Sequence, residues 1–136
     1  MDEDALRAFL ARAFPQVAAD FGVERVTEEG IEVRLKVADR HLRPGGTVSG
    51  PSMFALADVG VYLAIHSRLG EVALAVTTSC AMDFLRKPVG GADLIGAVRL
   101  LKLGKVLAVG DVLIFSEGGV EPVARASLTY SIPPRR

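Results

Sequence analysis

Cysteine is nearly absent from this 136-residue chain, tryptophan wholly so, and neither sign of charge prevails. The single cysteine, Cys80, excludes an intrachain disulfide, and with only two histidines beside it a Cys/His zinc site is not expected. Sixteen basic residues cancel sixteen acidic ones, whereas binding by phosphate neutralisation needs a basic excess. A long hydrophobic run is also missing. The longest, Phe54 to Ile65, is twelve residues with Asp58 inside it, against the roughly 20 a spanning helix needs. The N-terminus, MDEDALRAFL, is acidic and lacks the basic n-region of a secretory signal. These absences lead to the expectation of a soluble, reduced, cytoplasmic protein. No metal, cofactor, nucleic-acid partner or membrane partner is expected.

Half of the residues are hydrophobic and 24% are charged, enough for one packed domain of 14.4 kDa spanning residues 1–136. There is no internal repeat or linker, and the tail Pro133-Pro134-Arg135-Arg136 is expected to fray. Leu6, Phe9, Leu10 and Ala13 recur at helical spacing before Pro15, predicting a helix over about 4–14. Two strands follow, at Val23–Thr27 and Ile31–Val37; the second alternates apolar residues with Glu32, Arg34 and Lys36.

A Gly- and Pro-rich loop, residues 39–50, leads into a helix over about 51–69. Ser49 or Gly50 can cap it, and Pro51 suits its first turn. Its middle is apolar almost all round, so it should be buried on most sides. Four strand-like stretches follow, near 72–85, 93–103, 106–116 and 120–132, joined by short Gly- and Pro-containing links. Links this short predict a four-strand antiparallel meander over about 72–132. The outline is an α+β fold: an antiparallel sheet wrapped on one long central helix, with an N-terminal helix. Such a sheet leaves part of the core uncovered, and a second subunit is the usual remedy.

Asp58 is the anomaly, the only charged residue between Arg43 and His66. An unpaired carboxylate on an apolar helix costs several kcal/mol, so the site must supply partners or water. In a cleft such a group is a candidate general base or nucleophile; otherwise it is a structural Asp holding a backbone N–H or a cross-subunit partner. Gly50 lies eight residues earlier, at the mouth of the same helix. A helix N-terminus offers free N–H groups and a positive dipole end to a developing oxyanion. Eight helical residues span about 12 Å, too far for both groups to flank one carbonyl carbon. If they act together, the carboxylate comes from a neighbouring subunit.

The remaining candidates carry plainer readings. His41, in the loop before the second helix, either faces a site or is a surface loop histidine, and the surface position is the expectation. His66 does not share the helix face of Asp58, which leaves an Asp–His dyad open only across subunits. Cys80 reads as a buried strand residue. Alternation places Thr77, Ser79, Ala81 and Asp83 on one strand face, and Thr78, Cys80, Met82 and Phe84 on the other; the polar set fits the lining of a wet cleft and an exposed sheet face equally well. Arg86-Lys87 reads as a solvated pair. Met53, Phe54, Leu56 and Val61 are candidates to line an apolar pocket.

The run Ser49-Gly-Pro-Ser-Met-Phe-Ala-Leu-Ala-Asp58 resembles the His-Gly-Gly-x-x-x-x-Leu-Ala-Asp motif of the hotdog-fold acyl-CoA thioesterases of the phenylacetyl-CoA (PaaI-like) group. Gly46-Thr47-Val48, Asp83-Phe-Leu-Arg-Lys-Pro88 and the Glu117-Gly-Gly ending are similar to further segments of that group, over roughly residues 30–132. The resemblance implies a hotdog fold, at least dimeric, as a homodimer or homotetramer (a dimer of dimers). It implies acyl-CoA as substrate. The Gly50 N–H would polarise the thioester carbonyl, Asp58 of the partner subunit would act as nucleophile or base, and Thr77 would help place the water. Arg86, Lys87 and Lys105 would lie near the CoA phosphates. Ser49 stands where the group has His, Pro51 where it has a second Gly, and Arg43 where an Asn is frequent. Three functions compete: thioester hydrolysis; binding of acyl-CoA or another small ligand without catalysis; and hydration or dehydration by an Asp/His pair, whose long motif is not visible.

Overall fold

The computed structural model describes residues 1–134. Arg135 and Arg136, and with them half of the tail expected to fray, lie outside the described residues. Helix α1 (Glu3–Ala13) begins where the Asp2 side chain accepts the Ala5 N–H at 2.9 Å, with acidic Glu3 and Asp4 in its first turn. Pro15 ends it and opens the short α2 (Pro15–Ala18). Strands β1 (Phe21–Val26) and β2 (Gly30–Leu35) then form an antiparallel hairpin, close to the predicted positions.

The central helix α3 (Gly50–Leu69) carries eleven buried residues. Ser49 caps it, accepting the Ser52 N–H at 3.3 Å, and Gly70, at φ +77°, ends it. Leu6, Phe9, Ile31, Leu56, Leu63, Ile65, Leu94 and Leu128 are sealed in the core between this helix, α1 and the sheet. Gly60 is required for the close approach: a Cβ there would stand 2.9 Å from Val98 Cγ2.

Strands β3 (Val76–Phe84), β4 (Leu94–Leu103), β5 (Leu107–Ser116) and β6 (Ala124–Ser131) complete the sheet. Its order is β1-β2-β4-β5-β6-β3, with every neighbouring pair antiparallel. The expected four-strand meander is therefore corrected. Strands β4, β5 and β6 are consecutive neighbours, but β3 pairs with β6 at the far edge. The connection over 85–93 does not turn back on itself. It steps past the ends of β6 and β5: Leu85 N–H donates to Val123 O at 2.8 Å, and Val89 N–H to Ser116 Oγ at 2.9 Å. Three strand spacings are only about 14 Å, within reach of nine extended residues. No helix among the described residues is long and apolar enough to cross a membrane.

Candidate active site

A bulge decides which way Thr77 points. Thr77 pairs with Tyr130 and Ser79 with Thr129, so Thr78 is the extra residue on β3. Beyond it Cys80 pairs with Leu128, Met82 with Ala126 and Phe84 with Ala124, and those β6 partners are all buried. Opposed residues share a face of the sheet. Thr77 therefore faces the helix together with Cys80, Met82 and Phe84, and not with Ser79, Ala81 and Asp83 as simple alternation predicted. On the outer face Asp83 pairs instead with Arg125, at 3.1 Å.

The bulge delivers the Thr77 hydroxyl to α3, where it donates to Asp58 Oδ1. Tyr130 OH lies 2.8 Å from the same oxygen and 2.9 Å from the Asp58 carbonyl. Asp58 is half-buried, Thr77 half-buried and Tyr130 buried. Burial, and then the Asp58 charge, push the Tyr130 phenol above its ordinary range, so it remains a neutral donor. Tyr130 escaped the sequence reading. The alternation Ala124, Ala126, Leu128, Tyr130 was the available signal, since it ends an inward-facing apolar row on a side chain with a polar tip.

Gly50 stands at the other end of the same edge. As the first residue of α3 its N–H has no acceptor within the helix, Pro51 has no N–H, and the Ser52 N–H is taken by Ser49. The Gly50 N–H finds no acceptor among the described residues. A Cβ on Gly50 would lie 3.3 Å from the Phe84 ring. So α3 and β3 run antiparallel, with Gly50 beside Phe84 at one end and Asp58 beside Thr77 at the other. One chain does not bring Gly50 and Asp58 together. The side of α3 left uncovered by the sheet carries Pro51, Phe54, Ala55 and Asp58.

Cys80 lies between the two ends and is exposed, correcting the expectation of a buried residue. It does face the helix, but β3 is an edge strand and nothing among the described residues covers this part of it. Partial desolvation and the Asp58 charge push its thiol up.

Other expectations divide. Met53 is buried and Phe54 is exposed, but Leu56 and Val61 are sealed against Gly96 and Gly110 of the sheet and line no opening. His41 is buried, not a surface histidine. A 3-10 turn over Asp39–His41 tucks its ring inward, where Nδ1 accepts the Ala38 N–H at 2.9 Å and Nε2 lies 3.4 Å from Asp20 Oδ2. The nearby Arg40 guanidinium, with His41, holds the Asp20 carboxyl below its usual range. The His41 carbonyl accepts the Ser49 N–H at 2.8 Å, so this histidine anchors the entrance to α3.

His66 is fully buried, with Nδ1 2.7 Å from the Tyr62 carbonyl and its ring stacked 4.3 Å from Phe9. Beneath α1 it cannot reach a second subunit, which closes the cross-subunit dyad. Arg86 is not a free solvated charge: Nε lies 3.3 Å from Glu121, and a terminal nitrogen donates to the Pro122 carbonyl. Lys87 is exposed beside it, at the Gly50 end of the sheet. Lys105 lies in the β4–β5 turn, at the Thr77 end. Arg43 is exposed in the turn before α3, its N–H donating to Thr47 O at 2.9 Å. A hollow of about 610 Å³ lies elsewhere, on the sheet face around Glu32, Arg99, Asp111 and Arg125, and includes none of these site residues. Among the described residues no three His, Cys, Asp or Glu side chains cluster as a metal site.

Comparison with known proteins agrees with this architecture. A family model described as the thioesterase superfamily matches residues 45–123. A structure from Silicibacter sp. TM1040, assigned by name as a thioesterase, is 58% identical with a TM-score of 0.92, covering 98% of this chain and 93% of the other. A mutant of the phenylacetic acid degradation protein PaaI from Thermus thermophilus is 30% identical with a TM-score of 0.73, covering 88% of this chain and 99% of the other. A protein from Streptococcus pneumoniae, named a hypothetical thioesterase and solved with coenzyme A, shares the fold at 22% identity and a TM-score of 0.75, over 87% of this chain and 89% of the other.

Proposed function

The chain belongs to the thioesterase superfamily, and from that premise we propose that it hydrolyses acyl-CoA thioesters at a site shared by two subunits. The observation that carries this reading is the half-buried carboxylate of Asp58, held by the Thr77 hydroxyl at one end of a sheet edge, while at the other end stands a helix N–H; among the described residues neither that edge nor that N–H has a partner.

Two copies of β3 pairing antiparallel along that edge set the Phe84 end of one against the Thr77 end of the other. Gly50 then meets the partner's Asp58. Exposed Val76, Phe84 and Leu85 flank the edge, and a partner covers them. The thioester carbonyl oxygen accepts the Gly50 N–H, where the dipole of a twenty-residue helix favours negative charge. Asp58 takes a proton from water as that water attacks the carbonyl carbon, or attacks the carbon itself. Thr77 spends its one proton on Asp58 and keeps lone pairs with which to orient the water. The tetrahedral intermediate collapses and the C–S bond breaks. On the water route Asp58 returns its proton to the sulfur, and CoA leaves as a thiol beside the free acid. After direct attack CoA leaves as a thiolate that solvent protonates, and a water then hydrolyses the Asp58–acyl anhydride to the acid and the restored carboxylate. Met53 and Phe54 border the acyl group, Ser49 and Arg43 frame the entrance, and Arg86, Lys87 and the partner's Lys105 lie toward the phosphates. No cofactor takes part. A homodimer supplies two such sites, and two dimers can associate into a tetramer.

The binding-only reading rests on the departures at Ser49, Pro51 and Arg43. In the structure Ser49 is engaged as the helix cap and Pro51 fills the first turn, so neither removes the Gly50 donor. Thiol release measured over a panel of aliphatic and aromatic acyl-CoAs separates the two. Turnover of at least one member is expected; binding without release across the panel supports the non-catalytic role.

A further inference from the structure

We propose that Tyr130 is a positioning residue, whose phenol and the Thr77 hydroxyl together clamp Oδ1 of Asp58 and leave Oδ2 as the oxygen that reacts. The proposal rests on the hydrolytic reading above and assigns the work within it atom by atom. Both hydroxyls converge on one carboxylate oxygen, Tyr130 at 2.8 Å and Thr77 in direct hydrogen-bond contact. They come from neighbouring strands at directly opposed positions, so the β3–β6 ladder fixes their separation. The phenol is pinned in turn. It is 3% exposed, its ring lies 6.3 Å from that of Tyr62, and its oxygen is also 2.9 Å from the Asp58 carbonyl.

A carboxylate on an exposed helix face samples several rotamers. Two donors on Oδ1 hold it in one; they draw some charge from the whole carboxylate but occupy only that oxygen. Oδ2 receives no hydrogen bond from the described residues and retains its lone pairs for a proton or a carbon. Tyr130 does not meet the reacting atoms itself, because its phenol is buried and its one proton is directed to Oδ1. Its effect passes through Asp58.

The test compares Tyr130→Phe, Thr77→Val, the double variant and Asp58→Asn in the intact protein, reading kcat, KM and Tm on an acyl-CoA that the wild type turns over. Tyr130→Phe is expected to lower kcat about tenfold or more, as misplacement of a reacting group does, with KM within about twofold. The double variant should lose less than the product of the single losses, since both donors act on one oxygen. Wild-type kcat in Tyr130→Phe, with Tm alone lowered, overturns the positioning role while an inactive Asp58→Asn leaves hydrolysis standing. An active Asp58→Asn overturns both. Should Tyr130→Phe fail to fold, fluorotyrosine in a Tyr62→Phe background reads the same bond, because Tyr130 is then the one tyrosine left. A more acidic phenol donates more strongly and weakens Asp58 as a base, so kcat should fall; an unchanged kcat overturns the proposal.

Discussion

Thr77 stands directly opposite Tyr130 on the β3–β6 ladder, and the bulge at Thr78 turns the Thr77 hydroxyl inward to Asp58. Without that extra residue the strand would carry Thr77 to the outer face with Asp83. A single unpaired residue on an edge strand thus places a hydroxyl beside the one carboxylate of an otherwise apolar helix segment.

Asp58→Asn keeps the size and the hydrogen-bonding neighbours of the side chain but removes its charge. CoA release from a good acyl-CoA should fall about 10²-fold or more, while circular dichroism and assembly stay as in the wild type. Near-normal turnover removes Asp58 from the mechanism.

The oxyanion role of Gly50 separates by a pair of variants. Gly50→Pro deletes the N–H at a helix position that tolerates proline, and Ser49 already has the extended backbone that a following proline prefers (φ −75°, ψ 157°). It should lower kcat/KM about 10²-fold. Gly50→Ala keeps the N–H, and its Cβ meets only the exposed Phe84 ring, which can move aside. It should lose far less. Equal losses in the two variants indicate crowding at Phe84 rather than loss of a donor.

His66 sets a pH dependence of stability. Burial against Phe9 lowers its folded value below the ordinary histidine range, because the ring is kept neutral. The unfolded chain takes up that proton first as pH falls through about 6.5, so the stabilisation is present above that pH and is lost below it. Thermal melts between about pH 7.5 and 5.5 should show Tm falling by a few degrees toward acid. His66→Gln should flatten that slope. An equally steep slope in the variant assigns it to other groups.

Much of the fold was legible because its signals are local. Apolar spacing and Pro15 bounded α1, and Ser49 and Pro51 marked the start of α3. Asp58 was legible as a charge amid apolar neighbours. What escaped depends on non-local pairing or on one residue of register. The partnership of β3 with β6 joins segments far apart in the chain, and no turn residue encodes it. The Thr78 bulge inverts an alternation that is otherwise a sound guide. His41 looked like a loop residue because the contacts that bury it, with Asp20 and Ser49, form only on folding. Tyr130 looked like any strand tyrosine until Asp58 was placed beside it.

Subunit complementation tests the shared site most directly. Asp58→Asn and Gly50→Pro chains, each expected to keep about 1% of wild-type activity or less alone, are mixed under conditions that exchange subunits. In a mixed dimer one site joins an intact Gly50 to an intact Asp58, and the other carries both lesions. Random exchange makes half of the dimers mixed, so activity should rise to about one quarter of wild type. Mixed dimers isolated by differential tags that show no more activity than the parent variants would contradict a site built from two chains.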